Sequence, residues 1–263
     1  VTSFHYKVLT RPGRGTPFIG LDNYYRILFR DKVFWISLKN TFWWVLGSVS
    51  VQFVLGFLVA LVLNQEFRFR GLVRGIVLIP WVIPGVIAAL TWSWLLHGTY
   101  GVMNDILFRL GIIDKYVPWL AQSSTAMLAV IIANTWKGFP FFATMLLAGL
   151  QTIPQELYEA ASIDGASPWQ QFSLITVPML KHVIVISTTL RIIWTTNNVD
   201  MIFSMTQGGP GHSTRVLALY SFMTAWSKLD FGYAAALGVI LLLILMVLAV
   251  VYIRMTMQEE VDI

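Results

Sequence analysis

Five long apolar stretches constrain this chain more than any other feature. Residues 40–63 and 75–96 hold no charged side chain, 125–150 hold only Lys137, 182–206 hold Arg191 and Asp200, and 232–253 again hold none. A helix needs roughly 20 mostly apolar residues to cross a bilayer, and in hydrocarbon its backbone groups must be satisfied internally. The stretches therefore predict an all-α integral membrane protein with five visible transmembrane helices. Pro80, Pro84 and Pro140 fall inside spans, where neighbouring helices or water must satisfy the groups they free. Composition agrees: 57% of the residues are hydrophobic and 12% charged, about half the charged share of a soluble domain. With no cysteine, disulfides, Cys-ligated zinc and thiol catalysis are excluded. The net charge of +5 is read as basic loops beside a bilayer rather than a nucleic-acid surface.

Orientation is not decided by charge. Five spans put the visible ends on opposite sides, with eleven Lys and Arg on the side of the N-terminal segment and five on the other. The positive-inside rule would make the first side cytoplasmic. Yet Arg68, Arg70 and Arg74 crowd one short loop, "NQEFRFRGLVRG", in the manner of a cytoplasmic turn.

Between the third and fourth spans lies "QTIPQELYEAASIDGASPWQQFSLITVPMLK", which reads as two short helices. Thr152 and Gln155 have capping-box spacing, with Pro154 in the first turn. Gly165 can take the left-handed conformation that stops a helix. Ser167, Pro168 and Gln170 repeat the start signal, and Pro178 ends the second piece. Leu157, Ala160, Ala161 and Asp164 share a face. Asp164 sits near the C-terminus, where the macrodipole disfavours an anion, so a turn bond or an outside cation is expected to compensate. A helix lying on lipid is one reading. Such helices usually carry Lys and Arg, whereas this one carries Glu156, Glu159 and Asp164, so a protein partner with basic groups fits better.

"EAASIDGASPWQQFSLITVPML" closely resembles the EAA loop of the membrane subunits of binding-protein-dependent ATP-driven (ABC) importers. The motif's Glu-Ala-Ala, Gly and Pro fall on Glu159-Ala160-Ala161, Gly165 and Pro178. "FIGLDNYYRIL", "LKNTFWWV", "GLVRGIVLIPWVIPGVIAALTWSWL", "GFPFFATMLLAGLQTIP", "MIFSMTQGGPGHST" and "FGYAAALGV" look like the carbohydrate-uptake branch, and the first of its two permeases. The resemblance implies a coupling helix over 153–164 that docks on a cytoplasmic ATPase, with Glu159 meeting a basic residue there. It makes that loop cytoplasmic and turns the N-terminal segment, 97–124 and 207–230 outward. It also implies a second permease subunit, two ATPase subunits that hold ATP and Mg, an extracytoplasmic solute-binding protein, and no cofactor on this chain. The expected layout is an outward segment over 1–39, a permease domain over 40–253 with its coupling loop at 151–180, and a cytoplasmic tail over 254–263. A further span before "FIGLDNYY", usual in the family, gives about six in the full chain, in the cytoplasmic membrane.

Charged groups inside spans are costly and usually face a cavity or another helix. Lys137 and Arg191 fall about 18 and 22 Å below the outer end of their spans at 1.5 Å per residue. Asp200 lies nine residues from Arg191, on the opposite face of a continuous helix. Three readings stay open for the two cations: a second permease neutralises them, carbonyls of helices broken at Gly138 and Pro140 hold them, or they attract an anionic solute. By motif position, the sugar-contacting stretches of maltose-type permeases fall on Gly138, Phe141, Arg191, Thr195 and Asn198. Arg191 stands where that pattern has a small hydroxyl, and Thr195 where it has an amide, which points to a substrate other than maltose. Phe141 or Trp136 could stack on a pyranose, and Asn197 and Asn198 could bond hydroxyls.

"TQGGPGHST" (206–214), with Gly208, Gly209, Pro210 and Thr214, is a turn that the resemblance places beside the binding protein's docking surface. The chain has no GxxxxGK[ST] loop, HExxH or GxSxG, so catalysis of its own is not expected. The function read from the sequence is sugar import by alternating access. Its alternatives are an ABC permease for a non-sugar or anionic solute, such as a sugar phosphate or uronic acid, and a gradient-driven carrier. A carrier would usually show an internal repeat and a midplane acid or amide cluster.

Overall fold

A computed structural model describes residues 1–257 apart from Pro12 and Arg14. The expected tail over 254–263 is thus described only as far as Met257, which still belongs to a helix. The helices run in order as α1 (Asp22–Arg30), α2 (Lys32–Asn64), α3 (Arg70–Val82), α4 (Gly85–Leu95), α5 (Val102–Arg109), α6 (Ala126–Leu150), α7 (Gln155–Ile163), α8 (Pro168–Gln171), α9 (Val177–Met179), α10 (Lys181–Asn197), α11 (Asp200–Thr206), α12 (Leu217–Trp226) and α13 (Phe231–Met257). A π-helical turn, Phe172–Thr176, joins α8 to α9.

Among the described residues, three helices are long and apolar enough to cross a bilayer: α2, α6 and α13 as far as Tyr252. The count reaches five when each of two bent pairs is taken as one crossing. The first bent pair covers the expected span over 75–96, with α3 and α4 meeting at 94°. Pro84 forces the residue before it out of the helical region, and Ile83 is extended with ψ 130°. In the second, Pro168–Met179 meets Lys181–Thr206 at 65°. Pro178 therefore does not end the piece it stands in: it opens α9, and the chain turns at Leu180.

The span over 182–206 is not one helix either. Asn198 is extended (ψ 113°) between α10 and α11, so the opposite-face argument for Arg191 and Asp200 does not apply. Gly138 and Pro140, by contrast, do not interrupt α6. That helix packs against α2, α3, α4, α10 and α11, and this surrounding contact holds it straight through the proline. α2 begins at Lys32 rather than at residue 40, because Asp31 caps it, accepting from the Val33 and Phe34 amides at 2.8 and 3.1 Å.

α2 and α6 form the most extensive helix contact among the described residues. A β-carbon at Gly56 would collide with Phe142 and the Phe139 carbonyl, so a glycine here lets the two backbones meet. One core joins α2, α4, α6 and α11 around Trp44, Ala89, Ala133 and Ile202. A second joins α2 and α6 around Phe57, Phe142 and Leu146. A third, around Ile27, Phe34, Leu217 and Leu237, ties α1 and α12 to the starts of α2 and α13. Leu63 at the end of α2, Arg74 on α3 and Gln151 just past α6 line one recess, so these ends share one pole of the bundle. α1 and the starts of α2 and α13 occupy the other. Leu58, Val62, Leu242 and Met246 are exposed, as a lipid-facing surface requires.

Candidate functional site

At the first pole, α7 has no buried residue. Ile163 is 86% exposed, and Leu157 and Trp169 are also exposed. The helix is nonetheless fixed in place. The Tyr158 hydroxyl lies 2.9 Å from the Thr176 hydroxyl, and Gln171 Nε2 donates to Ser162 Oγ at 2.9 Å. Gly165 adopts φ +80°, and the Ala166 amide donates to the Ala161 carbonyl at 2.8 Å, the closure expected of a left-handed stop. No atom lies within 4 Å of a β-carbon built there, so backbone conformation selects the glycine, not space. The second start signal is realised as a full capping box between Ser167 and Gln170. The first is not: Thr152 Oγ1 donates instead to the Gly149 carbonyl at 2.8 Å, and Pro154 occupies the cap position without a side-chain bond. Glu159, Ala160, Ala161 and Asp164 form one surface-facing set. Among the described residues the single ion pair is Arg109–Asp105, so neither Glu159 nor Asp164 meets a cation among them.

The interior charges are brought together where the helices break. Arg191, only 9% exposed, donates from Nε to Gln52 Oε1 at 2.6 Å, and Gln52 Nε2 donates to the Asn134 carbonyl at 2.8 Å. Gly138 faces this pair: a β-carbon there would collide with Arg191 Nη2 and the Gln52 amide. Lys137 Nζ donates to the Ile83 carbonyl, freed by the α3–α4 bend. A β-carbon at Gly85 would lie 3.3 Å from Asp200 Oδ2 and 3.8 Å from Lys137 Cε, so Asp200 and Lys137 flank the start of α4. Of the three open readings, a backbone carbonyl thus holds Lys137, but at Ile83 rather than at Gly138 or Pro140.

Aromatic rings border this cluster. Phe141 lies 6.2 Å from Trp81 and 5.1 Å from Trp194, while Trp136 packs edge-on against Trp92 at 6.0 Å. Thr195 is buried with its hydroxyl unpartnered, and its carbonyl accepts from Trp44 Nε1. Asn198 Oδ1 accepts the Asp200 amide at 3.0 Å. Asn197 lies apart, lining a recess of about 700 Å³ with Ile193, Ala218 and Phe222. Gln52, Asn134, Ile83, Gly85, Trp81 and Trp194 are the neighbours that sequence reasoning missed. A lone glutamine in an uncharged apolar stretch was the available signal for the first.

The 206–214 loop is closed on itself. Thr214, fully buried, donates to the Gly209 carbonyl at 2.8 Å, and its oxygen lies 2.7 Å from that of Thr206. Gly208 takes φ +84° with Leu219 and Arg215 beside it, and Pro210 follows Gly209. Asn40 of α2 donates to the carbonyls of His212 and Arg215 at 2.8 and 3.1 Å. Burial first, then the cations Arg215 and Lys228, pushes the His212 imidazole below its usual pKa.

Comparison with known proteins bears on this geometry. The family described as "Binding-protein-dependent transport system inner membrane component" matches residues 52–257. The chain is 40% identical over 252 residues to the trehalose/maltose transport system permease protein MalF of Thermococcus litoralis, covering 96% of this chain and 83% of the relative. It is also 40% identical over 259 residues to the sulfoquinovosyl glycerol transport system permease protein SmoG of Agrobacterium fabrum, covering 98% and 83%. Its fold matches the crystal structure of a bacterial ABC transporter involved in the import of the acidic polysaccharide alginate, with a TM-score of 0.82 and 26% identity over 95% of this chain and 90% of that one.

Proposed function

Because the chain belongs to the family of binding-protein-dependent transport system inner membrane components, and is a membrane permease subunit rather than an enzyme, we propose that it carries a sugar or glycoside across the cytoplasmic membrane by alternating access. The carbohydrates named for its relatives, trehalose, maltose, sulfoquinovosyl glycerol and alginate, support that substrate class. In this reading α7 is cytoplasmic and docks on a separate ATPase, Glu159 meets a cation there, and ATP with Mg stays on the ATPase pair. A second permease closes the path opposite α6 and α10. The solute-binding protein meets the 206–214 loop at Gly208, Gly209, Pro210 and Thr214.

The observation that carries the coupling role is α7 itself, a helix without a buried residue yet fixed by Tyr158 and Gln171. A rigid exposed helix transmits force to the bundle, and its acids Glu156, Glu159 and Asp164 suit a basic protein partner better than a lipid surface. Lys137, Gly138, Phe141, Arg191, Thr195 and Asp200, with Trp136 and Asn198 near them, make up the proposed solute path, and Asn197, on a separate recess, stands outside it. Trp194, which is exposed, offers a face for a pyranose, the buried Phe141 backs it from the core, and Asp200 and Lys137 offer an acceptor and a donor for hydroxyls.

Co-purification from the native host tests this directly. The wild-type chain is expected to bring down an ATPase and a second permease, with ATP hydrolysis stimulated by a sugar-loaded binding protein. Glu159→Lys should lose the ATPase and keep the permease. A chain that comes down alone, or only with copies of itself, would sink the reading.

A further inference from the structure

The pole opposite α7 holds a polar cavity of about 310 Å³, lined by Arg26, Arg30, Asp31, Thr224, Lys228 and Asp230 with two tyrosines. Its carboxylates are already engaged. Asp31 Oδ2 accepts the hydroxyls of Tyr220 and Tyr233, both at 2.6 Å, and its Oδ1 takes the two amides that start α2. Asp230 Oδ1 accepts the Tyr233 amide at 3.0 Å. No ion pair links Arg26, Arg30 or Lys228 to either acid among the described residues. Arg26 and Lys228 rest instead on the faces of Tyr233 and Tyr220, 5.2 and 5.4 Å from the ring centroids. Three cations against two carboxylates leave one positive charge, while the N-termini of α2 and α13 are offset by the C-termini of α1 and α12. Thr224 completes the wall: it is 1% exposed, and its hydroxyl has no partner. A buried hydroxyl left unpaired is costly, and a bound acceptor would relieve that cost.

We propose that this cavity binds a phosphate group, with Arg26, Arg30 and Lys228 supplying the charge and Thr224 a hydrogen bond to one oxygen. Net charge and depth favour a phospholipid's phosphodiester over free inorganic phosphate. A phosphodiester carries one negative charge, matching the surplus. The cavity also lies level with Trp226, 72% exposed, and the exposed Trp35, and exposed tryptophans mark the headgroup layer. The inference stands on this cavity alone and does not rest on the transport reading.

The test uses the full chain, purified in detergent with its native partner subunits. Native mass spectrometry follows titration with dioleoyl-phosphatidylglycerol and with dioleoylglycerol, which has the same chains and no phosphate. Inorganic phosphate is added as a competitor. Arg26→Gln/Arg30→Gln/Lys228→Gln should weaken phosphatidylglycerol binding by at least about tenfold, the scale of one charged hydrogen bond. Thr224→Val, close in shape, should weaken it several-fold with Tm unchanged, and it decides the matter if the triple variant fails to fold. Failure of inorganic phosphate to compete assigns the phosphate to lipid; competition with binding of its own assigns it to the free ion. Equal binding of phosphatidylglycerol by the variants and wild type overturns the proposal, as does equal binding of dioleoylglycerol. If the triple variant instead loses a soluble protein partner while lipid binding holds, the cavity is a protein-docking surface and the proposal falls.

Discussion

A methyl group added at residue 138 would run into Arg191 Nη2 and the amide of Gln52, so Gly138→Ala must either displace the guanidinium or bend α6. Overpacking of this kind costs typically 1–3 kcal/mol, and the damage should be local. The expected result is a lower Tm by differential scanning fluorimetry, together with a loss of uptake larger than that caused by Gly149→Ala. A β-carbon at Gly149 meets only the ends of Leu180 and Val183 side chains at 2.7 and 3.1 Å. Equal effects from the two variants would deny Gly138 its special place. Lys137, Arg191 and Asp200 were legible in the sequence because a charge in an apolar stretch stands out against its cost. Gln52 was not, since an uncharged amide leaves hydropathy nearly unchanged although its two hydrogen bonds tie α2 to α6 and α10. The Ile83 carbonyl could not be read at all: every residue has one, and only the bend frees it.

Elements divide the same way. The α3–α4 bend follows from Pro84, a proline visible in the sequence inside the span, although its size is set by packing. The α10–α11 break falls on Asn198 and Val199, where no proline marks it, and packing of α11 against α4 decides it. The start of α2 depended on a residue outside the apolar stretch. Partial burial raises the Asp31 pKa, but the hydroxyls of Tyr220 and Tyr233 and the amides of Phe34 and Val33 outweigh it, so the carboxyl is held below its ordinary value. A carboxylate with a depressed folded-state pKa contributes stability above its unfolded pKa, and that stability is lost as pH falls through the folded value. Protection factors over residues 32–36, corrected for the intrinsic pH dependence of exchange, should therefore hold at neutral pH and fall only below the usual carboxylate range. Asp31→Asn should flatten this dependence. Asp31→Ala removes the cap as well, worth about 1 kcal/mol, and should speed exchange at all pH values. An unchanged profile in Asp31→Asn would show that the carboxylate does not govern this end.

For the whole molecule, the absence of cysteine gives a clean background for mapping which pole faces which compartment. Ile163→Cys on α7 should react with a membrane-impermeant maleimide in inside-out vesicles and be protected when the ATPase is present. Trp226→Cys at the other pole should react only in right-side-out vesicles. Labelling of both from one side would contradict the five-crossing topology. With that topology, α2 acquires a mechanical meaning. At about 1.5 Å per residue, it runs roughly 36 Å from Lys32 to Gly56 and roughly 12 Å from Gly56 to Asn64. Gly56 is where its backbone lies hard against α6. A rod held there is an unequal lever with arms of about three to one. A shift of one ångström at the α7 pole becomes about three at Lys32 and about two at Asn40, which grips the carbonyls of His212 and Arg215.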